Sequence, residues 1–182
     1  MADRFQDFFP VAAHDTWKFL ERNSGATVTV EYRAKSVSNR KVIELELTGL
    51  PAHVNPNFFD RLTLTDAGLE LNRIRLTKRA VAIDPPLVVT LKPEESNQVA
   101  VLFPPDAVPV LNDSPPFAGK VTAKKLSSLG TDKKQFEIKL VATARGGEKV
   151  FRVERMQFQT GRGLTSYLGD MGGIFFVYER QT

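Results

Sequence analysis

Residues 26–34 read Ala-Thr-Val-Thr-Val-Glu-Tyr-Arg-Ala, and the alternation is strict. Val28, Val30, Tyr32 and Ala34 share one face, while Thr29, Glu31 and Arg33 share the other. Successive side chains of a strand point to opposite sides, so a period of two demands a sheet with one dry face and one wet face. The pattern recurs along the chain. At residues 41–48, Ile43, Leu45 and Leu47 alternate with Glu44, Glu46 and Thr48, and Ser38-Asn39-Arg40 turns the chain between the two runs. That arrangement reads as a hairpin. Asn23-Ser24-Gly25 closes a first strand around Trp17–Leu20, and Asp66-Ala67-Gly68 reads as another hairpin turn. No stretch sustains a helical period.

Two strands slip phase. Leu69 and Leu71 share one parity and Ile74 and Leu76 the other; Phe151 and Val153 precede Met156 and Phe158 in the same way. A one-residue slip marks a bulge, which bends and twists a sheet. Two of them call for strong curvature or partial closure. The expected fold is all-β: a single antiparallel, strongly curved sheet or partly open barrel of about ten strands. At most one short helix is expected, near residues 55–61. Most of the eleven prolines lie between Asp84 and Phe117. Proline cannot donate to a ladder, so this zone reads as a crossover with edge strands at Leu87–Leu91 and Val99–Phe103. The strand style is the same on either side of it, which favours one domain over residues 1–182.

The chain carries 25 Lys and Arg against 21 Asp and Glu, a net charge of +4. Its densest basic runs, Lys124-Lys125 and Lys133-Lys134, look like hairpin flanks with no aromatic stacking motif beside them. No nucleic-acid partner is expected from that pattern. Cysteine is absent, which removes disulfides, thiol nucleophiles and thiolate metal sites. No apolar run is long enough to span a bilayer as a helix. The opening Met1-Ala-Asp-Arg-Phe-Gln-Asp lacks the apolar core of a signal peptide. The location expected is therefore the cell envelope, periplasmic or secreted, if a leader has been removed, and otherwise the cytoplasm.

The catalytic inventory is thin. His14 abuts Asp15, but neighbours in a strand point to opposite faces and do not orient one another. His53 follows Leu50-Pro51-Ala52 without a companion. No G-x-S-x-G elbow and no P-loop occurs. Gly161-x-Gly163 lacks the strand–helix setting of a dinucleotide fingerprint and reads as a bulge or a close backbone approach. No metal and no cofactor is expected. A non-catalytic domain is the preferred reading, and a hydrolase or isomerase using His14 or His53 is the distant alternative.

Phe8-Phe9-Pro10-Val11-Ala12-Ala13-His14-Asp15-Thr16-Trp17-Lys18-Phe19 resembles the opening of a β-rich domain of bacterial envelope lipoproteins and secreted proteins, where the pattern is roughly aromatic-Phe-Pro-Leu-x-x-Gly-Asn-x-Trp-x-Tyr. His14-Asp15 stand here for Gly-Asn, and Phe19 for Tyr. Asp66-Ala67-Gly68-Leu69 and Gln159-Thr160-Gly161-Arg162-Gly163-Leu164 are similar to later segments of the same domain. The resemblance implies an antiparallel half-barrel or open barrel and an envelope setting. His14 would be strained if the glycine it replaces needs positive φ.

A curved sheet lined by large apolar side chains suggests that a lipid or other apolar small molecule sits inside. The lining residues expected are Tyr32, Leu45, Leu47, Leu71, Phe136, Ile138, Phe151 and Phe158. The alternative is a protein partner docking on the proline-rich stretch Pro104–Pro116 or on an edge strand. A continuous apolar pocket would favour carriage of a ligand, and a solid interior would favour protein contact.

Overall fold

The computed structural model describes residues 4–49, 58–76, 79–90, 97–103, 117–126, 134–143, 149–171 and 174–182. Six strands run from the N-terminus: β1 (His14–Glu21), β2 (Thr27–Val37), β3 (Arg40–Thr48), β4 (Phe58–Thr65), β5 (Gly68–Leu76) and β6 (Arg79–Val89). Six more complete the chain: β7 (Asn97–Phe103), β8 (Phe117–Leu126), β9 (Gln135–Thr143), β10 (Lys149–Gln159), β11 (Gly163–Met171) and β12 (Ile174–Arg180). All belong to one antiparallel sheet in the order β6-β5-β4-β3-β2-β1-β12-β11-β10-β9-β8-β7. Each half is a meander, and the halves join where β1 pairs with β12, with Phe19 opposite Arg180 and Glu21 opposite Tyr178.

Chain length alone forces this sheet to curl. A flat sheet of twelve strands is about 53 Å wide. Its two end strands, β6 and β7, are joined by the segment from Val89 to Asn97, which spans at most about 28 Å. The result is a half-barrel. Its wings come close enough for the Phe59 amide of β4 to lie 3.3 Å from the sulfur of Met156 in β10.

The bulges fall where the phase slips. The β5–β6 register shifts between Leu71 and Arg73, and the β9–β10 register between Val153 and Met156. Because of these shifts Leu71 and Ile74, on opposite parities, are both fully buried. Among the described residues the strands number twelve, where the sequence reading gave about ten. Residues 58–61, inside the segment read as a short helix, are strand; residues 55–57 lie outside the described residues. Among the described residues the helical element is a 3-10 turn at Phe5–Phe8. Pro85 and Pro86 sit in β6, an end strand of the sheet, as their missing donors require. Pro104–Pro116 lies outside the described residues.

Turn chemistry is local. Ser38 and Asn39 take φ of 47° and 63° between β2 and β3, the left-handed pair that matches strand twist in a two-residue hairpin loop. At the β1–β2 turn the buried Glu21 side chain acts as a cap. Its carboxylate accepts from the Asn23 amide at 3.0 Å, the Ser24 amide at 2.5 Å and the Ser24 hydroxyl at 2.6 Å. Burial pushes this carboxyl up, but the hydrogen bonds from Ser24 and Asn23 outweigh it and hold the group below its ordinary value.

Candidate functional site

The interior is closed by a segment that belongs to no ladder. Residues 4–13 form a strap across the half-barrel, its first turn set by the Arg4 amide donating to the Asp7 carboxylate at 3.0 Å. Phe5, Phe8 and Phe9 all point inward and are buried. Two of them meet the Phe136 ring edge-on, Phe5 at 5.2 Å and Phe8 at 4.8 Å between centroids, while Phe9 lies 5.3 Å from Phe158. Phe136 and Phe158 are cross-strand partners on β9 and β10 and stack 4.8 Å apart at 6°. Edge-on and offset contacts of this kind suit the quadrupoles of the rings.

The strap is pinned mainly through backbone carbonyls. Gly161 N–H donates to Asp7 O at 2.8 Å, and Ala34 N–H donates to Ala13 O at 2.7 Å. Between these ties, Pro10 O receives two side chains: Lys41 Nζ at 2.9 Å and the Tyr32 hydroxyl at 3.4 Å. Burial lowers the pKa of the Lys41 ammonium. Burial, and secondarily the charge of Asp15, pushes Tyr32 up to about 12. Val11, beyond Pro10, is fully exposed.

Trp17 lies beneath the same strap. It stacks on Tyr32 at 5.0 Å, donates Nε1–H to the Asp15 carboxylate at 2.6 Å, and carries the Arg180 guanidinium 4.6 Å from its ring centre. Gly163 passes against the ring so closely that a side chain there would collide with Trp17 and with Pro10. The close backbone approach read from Gly161-x-Gly163 is therefore found at its second glycine. On the far side, Arg4–Gln6 and the Thr65–Gly68 turn border a hollow of about 320 Å³ that opens to solvent. Phe8–Phe19, Asp66–Leu69 and Gly161–Leu164 thus meet around the strap.

Of the expected lining residues, Tyr32, Leu45, Leu71, Phe136, Ile138 and Phe158 are buried in the core, and Leu47 packs against it half-buried. The Phe151 side chain lies outside the described residues. Phe136 and Phe158 come together, and Tyr32 sits opposite Leu45. With the strap seated, Phe136 and Phe158 pack against one another and against the strap's rings. His14 is exposed at the start of β1 with φ outside the positive range, so it carries no backbone strain, and Asp15 turns the other way toward Trp17. His53 lies outside the described residues. No group of three metal-ligating side chains occurs among the described residues, and no described helix is long and apolar enough to cross a membrane.

Sequence reasoning missed the strap as a unit, because a 3-10 turn and an extended run leave no period. It also missed Lys41, although Lys41 shares the parity of Ile43, Leu45 and Leu47, and a lysine in register with an apolar face is itself a signal. No family model, no curated protein and no solved structure matches this chain.

Proposed function

We propose that this protein is a non-catalytic β domain that takes an apolar ligand of lipid type against the inner wall of its half-barrel, in the place now filled by its own strap. Packed rings across the described interior, taken alone, speak for a protein-contact module. The observation that tips the reading is what supplies the fill: three phenylalanines on a segment outside the sheet, held by a few carbonyl ties. Removing three such rings would leave a hollow walled by Phe136, Phe158 and Trp17, which is the apolar setting a small-molecule site needs. The resemblance of the strap and its neighbours to envelope domains supports the same reading, and an envelope location belongs to the proposal.

The test exploits two accidents of composition. The chain has one tryptophan and no cysteine. A quencher attached through Val11→Cys sits on the strap just beyond Pro10, and Trp17 lies beneath it. Titration with laurate below its micelle concentration should raise Trp17 emission saturably as the strap leaves. Unchanged emission, together with no saturable laurate binding by calorimetry, would remove the proposal.

A second reading rests on the sheet's ends. β6 is guarded by Pro85-Pro86, whereas β7 reads Asn-Gln-Val-Ala-Val-Leu-Phe, with neither charge nor proline. An unguarded end strand is a template for strand addition by a protein partner. A photo-crosslinker at Ala100 that captures a partner, where one on the outer face at Lys18 does not, would favour that reading.

A further inference from the structure

We infer that the ligand is an amphiphile with an anionic oxygen headgroup, and that Lys41 and Tyr32 are the residues that receive that headgroup where they now hold the Pro10 carbonyl. The inference rests on the apolar-ligand reading above and adds the chemistry of the head.

Lys41 lies on the parity of β3 that faces the interior, in line with Ile43 and Leu45, and it is half-buried. A lysine in such a place keeps its charge at a cost in solvation unless a carboxylate pairs with it. Among the described residues no carboxylate does so. Its acceptor is a neutral carbonyl of the strap at 2.9 Å. Tyr32, on the neighbouring strand and inward-facing as well, aims its hydroxyl at the same oxygen. Two donors from the sheet therefore converge on one acceptor that is not part of the sheet.

The strap itself shows the ligand's shape: an oxygen acceptor at Pro10, preceded by apolar rings at Phe9 and Phe8 that lie on Phe136 and Phe158. A fatty-acid carboxylate with its chain along that wall reproduces both halves. It also improves on the strap at the head, because a carboxylate adds the attraction of opposite unit charges to the hydrogen bond that the neutral carbonyl already accepts. The hollow beside Phe5 at the Thr65–Gly68 turn offers an approach to the wall from solvent.

The experiment compares laurate with dodecanol, which has the same chain and no charge, on the full chain by calorimetry. Wild-type protein should prefer laurate by about tenfold or more, the ratio expected when the head adds a unit charge opposite the ammonium. Lys41→Met should bring that ratio close to one. It should also leave dodecanol binding equal or tighter, since the strap loses a tie. Tyr32→Phe should lower the ratio by a smaller factor, and it serves as the second variant if Lys41→Met melts early. Equal affinities for the two ligands in wild-type protein, or a ratio that Lys41→Met leaves intact, would overturn the headgroup assignment while leaving apolar binding in place. Failure of both ligands to bind would overturn the apolar-ligand reading together with it.

Discussion

Gly163 and Trp17 are in contact so tight that a Cβ on Gly163 would lie 2.5 Å from the outer edge of the indole, and 3.2 Å from Pro10 Cδ. The backbone there has φ of +76°, which L side chains also resist. Strap, tryptophan and the β10–β11 turn therefore meet at a point that tolerates no side chain.

Gly163→Ala should lower stability by about 2–4 kcal/mol, from overpacking plus the left-handed backbone. Gly161 provides the control. Its φ is +69° but nothing lies within 4 Å of the place a Cβ would take, so Gly161→Ala should cost only about 1 kcal/mol. Urea unfolding of the two variants checks the difference.

Glu21 makes an acid-side prediction. Its folded pKa is below the ordinary 4.5, so the unfolded state binds the proton more readily. The stability it contributes is present above the unfolded value and is lost as pH falls through the folded one. Glu21→Gln should therefore be less stable than wild type at neutral pH, and the gap should close as pH falls below the ordinary value of 4.5 and through the lowered folded one. Paired thermal melts across that range measure it; a constant gap would contradict the assignment.

The three tyrosines make an alkaline-side prediction. Tyr32, Tyr167 and Tyr178 are the only ones in the chain, and all are buried. Burial, with the charge of Glu21 second, pushes Tyr178 up to about 12. Tyr32 is also pushed to about 12, while Tyr167, stacked on Tyr178 at 4.4 Å, is raised by burial first and by Tyr178 next. Their raised values stabilise the fold up to the unfolded tyrosine value near 10, and that contribution is lost as pH rises toward 12. Phenolate absorbance should thus be absent at pH 10 and appear only with alkaline unfolding. A normal tyrosine titration centred near 10 in folded protein would contradict the packing.

Asp60 is a fully buried carboxylate in β4, held by Arg73 Nε at 2.8 Å and by Arg75 at 3.4 Å. Removing Arg73 leaves the buried carboxylate with Arg75 alone, without its hydrogen-bonded partner. Arg73→Met should cost about 3 kcal/mol, and the double variant Arg73→Met with Asp60→Asn should recover part of it. A double-mutant cycle in urea reads the coupling.

The architecture was legible because it is written in parity. Alternation at Val28–Ala34 and Ile43–Leu47 located β2 and β3, and the phase slips at Leu71/Ile74 and Val153/Met156 located two bulges. The fill of the interior was not legible. Phe5, Phe8 and Phe9 have no strand period, and their burial depends on β9 and β10, more than a hundred residues away. The strand reading of residues 58–61 was lost because Phe58-Phe59-Asp60 breaks alternation at a bulge, where Phe59 and Asp60 are both buried. The residues drawn from parity, Tyr32 and Phe136 among them, lie buried in the core, whereas Lys41, on the same parity as Ile43 and Leu45, was not singled out.

The most direct measurement of strap exchange is amide hydrogen exchange with and without saturating laurate. Gly161 N–H and Ala34 N–H are bonded to strap carbonyls, while Trp17 and Val30 face each other in the sheet ladder beneath. If the ligand takes the strap's place, Gly161 and Ala34 should exchange faster on laurate binding while Val30 and its neighbours hold or slow. Uniform slowing at all of these amides, strap ties included, would mean that laurate binds elsewhere with the strap still seated, and would contradict the central claim.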